Sequence, residues 1–176
     1  MPTMIYATKK LEKLIPKMIT VDAAVETSRL GKWNATVFLV DRKKCWLFTN
    51  GLTKYSVILP NVKTADHAQI EILFKNTFVN QLIYDGIIVD FEALTSSMGQ
   101  LRFMRTDNDR VTTGFQNQRV YELEVWKEEF RTLEHMPMTD LANRMNGIPI
   151  HIGKSKRFAD FTDAICEMKK ALSVAI

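Results

Sequence analysis

Trp33-Asn34-Ala35-Thr36-Val37-Phe38-Leu39-Val40, then Asp41-Arg42-Lys43-Lys44, then Cys45-Trp46-Leu47-Phe48-Thr49 is the stretch whose reading decides the fold. Both apolar runs are rich in aromatic and β-branched residues, which suit a pleated, half-buried surface. The four polar residues between them are enough to reverse the chain, so the runs are predicted to pair as a hairpin. Asn50-Gly51-Leu52-Thr53 supplies a second turn, and Tyr55-Ser56-Val57-Ile58-Leu59 a third strand before Pro60. The expectation is an antiparallel β-meander over about residues 33–59. Its strands are nearly continuous in apolar character, which predicts helices covering much of the sheet.

Working outward, residues 5–8 read as a short first strand running into a basic amphipathic helix over 9–15, which Pro16 ends. Residues 17–32 read as a connection with a helical turn at 22–26. Beyond the meander, Thr64 is placed to cap a helix and Asp66 sits at the positive end of its dipole. Ile70, Leu73, Phe74, Thr77, Phe78 and Leu82 then mark a wide helical stripe up to Gly86. A shorter helix is expected over 87–94, and residues 101–105 alternate like a strand.

Residues 119–125 also alternate, but over the longer window Val111, Phe115, Leu123, Trp126, Phe130 and Leu133 share one helical face. Length decides for the helix. Residues 137–145 read as a short helix stopped by Asn146-Gly147, a left-handed terminator. Residues 148–152 read as extended, with Pro149 suited to an edge. A last amphipathic helix is expected over 157–174, with Phe158, Phe161, Ile165, Met168 and Leu172 inward. The fold class is α+β: a meander with extra short strands, covered by several helices, in a single domain over 1–176 without linker or repeat.

A hydrophobic share of 46% against 25% charged residues argues for a packed core and against disorder. Cys45 and Cys166 lie far apart in apolar runs and read as small buried hydrophobes. Without a CxxC or a Cys/His cluster, neither a zinc site nor any other metal or cofactor is expected. His67 and Glu71 have a ligand-like spacing but no third ligand nearby. Asp90 and Glu92, two apart, cannot act as a facing acid/base pair on a helix. No apolar run approaches the roughly 20 residues a membrane helix needs, and residues 1–6 lack the form of a signal peptide. A cytoplasmic location with no membrane partner is the resulting expectation.

Net charge is +4, unevenly spread: residues 1–63 hold 11 Lys/Arg against 4 Asp/Glu, and residues 64–176 hold 13 against 16. Such asymmetry marks either a face for nucleic acid or another polyanion, or a solvated surface.

Four segments resemble a family of small bacterial proteins known only as a domain of unknown function, sometimes found with a plasmid-type open-reading-frame domain. They are Ala7-Thr8-Lys9-Lys10-Leu11; Trp33-Asn34-Ala35 with the run from Asp41 to Asn50 and Thr53; Asn108-Asp109-Arg110 with Gly114 and Asn117; and Arg144-Met145-Asn146-Gly147-Ile148-Pro149-Ile150. The resemblance implies the same α+β order and brings no catalytic residues with it.

The candidate binding residues are Lys9, Lys10, Trp33, Asn34, Arg42, Lys43, Asn50, Arg110, Asn117 and Asn146. Arg42 and Lys43 form a cationic hairpin tip that suits phosphate oxygens, with Lys9 and Lys10 widening it; the alternative is a solvated turn that blunts a sheet edge. Trp33 and Trp46 suit stacking on a base, or the core. Arg110 and Asn117 start a helix, where free N–H groups attract anions, while Asn108 or Asp109 caps it. The functional expectation is a non-catalytic binding or accessory module whose N-terminal third meets nucleic acid or an acidic protein. The alternatives are a small enzyme acting on a phosphorylated or nucleotide substrate, and a structural homo-oligomer.

Overall fold

A computed structural model describes residues 1–21, 28–153 and 157–175. The turn expected at 22–26 lies outside the described residues. The chain forms a five-stranded mixed sheet in the order β4-β3-β2-β1-β5. The predicted meander is present as β2 (Trp33–Val40), β3 (Lys43–Asn50) and β4 (Ser56–Leu59), paired antiparallel throughout. Its first turn is tighter than expected. Asp41 and Arg42 alone occupy it, at φ 50° and 63°, while Lys43 and Lys44 join β3. Two left-handed residues give a turn whose twist matches that of the flanking strands.

The added strands are parallel. β1 (Thr3–Ala7) lies between β2 and β5 (Leu101–Met104) and runs parallel to both. Parallel neighbours need crossover connections, and the helices these carry lie on one sheet face, while two helices that follow β5 cover the other. Ile5, Ala7, Trp33, Ala35, Trp46, Phe48 and Val57 point to one face, where α2 (Ile70–Tyr84), α3 (Phe91–Met98) and α6 (Ala164–Ala175) bring Phe74, Phe78, Leu94, Met168 and Leu172. Phe38, Val40, Leu47 and Ile58 point to the other, under Leu123 of α4 (Arg110–Lys127) and Leu141 and Met145 of α5 (Met138–Asn146). The short α1 (Lys9–Glu12) places Leu11 in the first of these cores.

Several expected elements are displaced, each for a local reason. The helix expected over 9–15 is a single turn, 9–12. Residues 64–69 form a 3-10 turn in which the Asp66 carboxylate, not Thr64, accepts from the Lys63 N–H at 2.7 Å. The helix expected over 87–94 begins only at Phe91, because Asp90 caps it by accepting from the Ala93 N–H; Ile88 is left 97% exposed. The stretch 119–125 is helical, inside α4. The buried face of α4 is more polar than expected: Leu123 is buried and Phe115 and Trp126 pack against the cores as expected, but Val111 is exposed and Thr112, Gln116 and Arg119 also point inward.

The last helix starts at Ala164 rather than 157. Thr162 pairs with Ile150 in an isolated bridge, and Asp163 caps the helix by accepting from the Cys166 N–H. Phe158 and Phe161 are therefore exposed, and so is Cys166, while Cys45 is buried as expected. Gly147 ends α5 at φ −85°, so the predicted left-handed terminator is not used.

Asn146 has a different task. It is fully buried; its amide oxygen accepts from the Ser56 N–H at 2.8 Å and its amide nitrogen donates to the Ser56 carbonyl at 3.0 Å. One side chain thus pairs the outer edge of β4, satisfying groups that an edge strand leaves open. Replacing Asn146 by Ala strands both, at about 1–3 kcal/mol for each buried group left unpaired. Asn146→Ala is expected to lower stability by about 3 kcal/mol in urea denaturation, with Asn143→Ala, in the next turn but half-buried, losing less.

Candidate functional site

The connection after β1 passes to α1 and the first core, whereas the connection after β5 passes to α4 on the opposite face. Where adjacent parallel strands send their connections to opposite faces, their carboxyl ends leave a crevice between the departing chains. A cleft of about 570 Å³ occupies that position. Thr8, Lys9 and Lys10 border it where β1 becomes α1, and Thr36 of β2 lies beside Thr8. The Thr8 hydroxyl donates to that of Thr36 at 3.1 Å, and the Thr8 N–H donates to the Ala35 carbonyl at 2.9 Å. Thr106 and Asn108 border it after β5, and Arg110, Thr113, Gly114 and Asn117 line it from one face of α4.

The loop from β5 to α4 is held by a polar floor. Lys32 donates to the Asp107 carboxylate and, at 3.1 Å, to that of Asp109. Asn34 donates to Asp107 at 3.1 Å, and Thr112 donates to Asp109 through both its N–H and its hydroxyl. Between the two carboxylates Asn108 takes the left-handed region at φ 56°, which asparagine tolerates better than most residues. Burial works against charge on this floor. It opposes ionisation of Asp109, but the Thr112 and Lys32 hydrogen bonds outweigh it and hold the carboxyl down at about 2. Burial likewise opposes the Lys32 ammonium, and the two carboxylates overcome it, so its pKa rises. Among the described residues Lys54 has no carboxylate in contact: it donates to the Gly51 carbonyl and the Thr112 hydroxyl, and burial pulls its pKa down.

Against the expected site residues, four lie in the cleft: Lys9, Lys10, Arg110 and Asn117. Asn34 is buried in the floor. Three others have no free surface to offer a ligand. Trp33 is fully buried, edge-on to Phe74 and Phe78 at 5.2 Å, and Trp46 is buried likewise. Asn50 is buried and holds the second turn, donating to the Leu30 carbonyl and accepting from the Leu52 and Thr53 N–H groups. Asn146 closes the edge of β4. Arg42 and Lys43 sit at the far end of β2, about 17 Å from Thr36 by strand rise. There Lys43 pairs with Glu134, and Asp41 pairs with Lys127 at 2.7 Å. The hairpin tip and the cleft are separate places.

The cleft also contains residues that sequence reading passed over: Thr8, Thr36, Thr106, Thr113 and Gly114. Single threonines carry no motif, and only the sheet brings these together. Among the described residues no ion pair involves Lys9, Lys10 or Arg110, and the side chains of Asn108, Thr113 and Asn117 make no hydrogen bond within the protein. Chemically the lining offers cations, hydroxyls and amides and, among the described residues, no carboxylate or imidazole. Elsewhere, among the described residues, no three His, Cys, Asp or Glu side chains are grouped to hold a metal, and no helix is long and apolar enough to cross a membrane.

Residues 4–161 match the family described as a domain of unknown function, DUF6933, and the chain belongs to it. Comparison with curated proteins and with solved structures gave no match.

The low pKa of Asp109 makes the floor acid-sensitive. An unfolded aspartate titrates near 3.9, so its stabilising effect is full above about pH 4 and is lost as pH falls toward about 2. Urea midpoints measured from pH 5 to pH 2 are expected to fall less steeply in Asp109→Asn than in the parent.

Proposed function

We propose that the protein is a non-catalytic binding module whose cleft holds the phosphate of a ligand of nucleotide size. The observation that carries this reading is the set of cations Lys9, Lys10 and Arg110, without an ion pair among the described residues, meeting the unengaged Thr113 hydroxyl and the unengaged Asn108 and Asn117 amides. Charged hydrogen bonds to phosphate are the strong ones, and a guanidinium offers a bidentate fork for them. The size, about 570 Å³, lies within the range of small-ligand sites. Nucleic acid as a polymer needs a wider surface, on the order of 1,000 Å². The cations of the hairpin tip do not extend the cleft, since they lie at the other end of β2.

Gly114 supports the same reading. Inside a helix glycine costs about 0.5–1 kcal/mol relative to alanine. A Cβ at Gly114 would meet nothing within 4 Å, so no packing contact requires the glycine. It borders the cleft, and leaving it bare keeps that wall open. Among the described residues the lining holds no imidazole or carboxylate to activate its hydroxyls and lysines as nucleophiles, which favours binding over chemistry.

Titration calorimetry with inorganic phosphate and ribose 5-phosphate tests the reading. Lys10→Ala and Arg110→Ala are each expected to weaken ribose 5-phosphate binding roughly tenfold or more, with Arg42→Ala unchanged. Binding that is lost on Arg42→Ala and kept on Arg110→Ala would move the site to the hairpin tip and end the proposal. Gly114→Ala is expected to raise unfolding stability by about 0.5–1 kcal/mol, and Gly114→Leu to block binding while remaining folded.

A further inference from the structure

The cleft does not end at Asn117. A second hollow of about 300 Å³ shares Lys10, Thr36 and Asn117 with it and continues between α4 and β2. Its walls are Val37, Phe38 and Leu39 from the strand and Val120 and Glu124 from the helix. Positions 110, 113, 114, 117, 120 and 124 follow helical spacing, so one face of α4 lines both hollows. β1 has already left the sheet here: its pairing with β2 ends at Ala7 opposite Ala35, beyond which Leu39 is exposed and Val37 is partly buried against the first core. Chemistry changes along this groove from cations, through a hydroxyl and an amide, to aliphatic walls and then a carboxylate. Glu124 lies about 10 Å beyond Asn117 by helix rise, and among the described residues no cation comes within ion-pair distance of it.

Resting on the phosphate reading above, we infer that the groove takes a nucleotide whose base carries an exocyclic amine. The base lies between Val120 and the Val37–Leu39 edge and donates to Glu124. A carboxylate accepts hydrogen bonds only. Adenine, cytosine and guanine present an amine donor to it, whereas the ring N–H of uracil is flanked by two carbonyl oxygens that a carboxylate repels. The aliphatic walls suit a flat ring, and the phosphate end is already placed by Lys10 and Arg110. Glu124 then sets which base is held, and the cations set that a phosphate is held.

The test is a calorimetric series on the full chain with AMP, CMP, GMP, UMP and ribose 5-phosphate. The amine-bearing nucleotides are expected to bind roughly 5- to 150-fold tighter than UMP. Glu124→Ala is expected to abolish the preference, weakening the amine-bearing nucleotides and relieving the repulsion of UMP until the four bind alike, while leaving ribose 5-phosphate unchanged. Glu124 is exposed, so this substitution leaves folding intact, and a circular-dichroism melt checks that. Ribose 5-phosphate binding without base preference, or a preference that survives Glu124→Ala, overturns the inference and leaves the phosphate site standing. Failure of every phosphorylated probe to bind overturns both.

Discussion

Everything at the site depends on β1 being parallel to both of its neighbours. A strand paired in parallel cannot be joined to its neighbour by a tight turn, so each connection must travel back over a face of the sheet. Here β1 sends its chain to the face that holds Leu11, and β5 sends its chain to the face that holds Leu123. The two departing segments cannot close over the strand ends between them. The cleft is that gap, and it is edged by the residues that each chain uses to turn: Thr8 to Lys10 on one side, Thr106 to Arg110 on the other.

Keeping such a gap open without collapse needs a rigid edge. Asp107 and Asp109 supply it by binding Lys32, Asn34 and Thr112, and Asn108 is carried between them in a left-handed conformation. The buried side of α4 belongs to the same arrangement. Gln116 donates to the carbonyls of Asn34 and Leu47, and Arg119 pairs with Glu122 over the ring of Phe115. A helix anchored by such hydrogen bonds as well as by Leu123 has its position fixed by their geometry, because moving it would break them. α4 is thereby set at a fixed height over β2, and the groove walls with it.

Charge is sorted by the same geometry. The lysines and arginines of the first third look like one population in sequence, yet the fold divides them. Lys32 is neutralised in the floor and Lys43 at the hairpin tip, while Lys9 and Lys10 face the cleft without a carboxylate. Net charge over a stretch of chain therefore says little about where an anion would rest. What matters is which cations the fold leaves unpaired.

Sequence alone determined the meander, because alternating aromatic and β-branched runs between short polar turns have one favourable pairing. It also determined by length that 119–125 is helical and that Asn108 or Asp109 caps that helix, and it named as candidates Lys9, Lys10, Arg110 and Asn117, which the fold places along one cleft. Local signals such as these act within a few residues, which is why they can be read without the fold. Tertiary structure alone decided the rest. The parallel placement of β1 and β5 joins residues about a hundred apart, and no local pattern encodes which edge a short strand will choose. Thr112, Gln116 and Arg119 turned inward in place of Val111 because each found a partner there: Asp109 at the cap for Thr112, the β2 and β3 carbonyls for Gln116, and Glu122 one turn on for Arg119. Asn50 and Asn146, expected as binding residues, are braces for backbone that would otherwise be buried unpaired. A polar side chain's role is set by the partners that the fold brings to it, and those partners are distant in sequence.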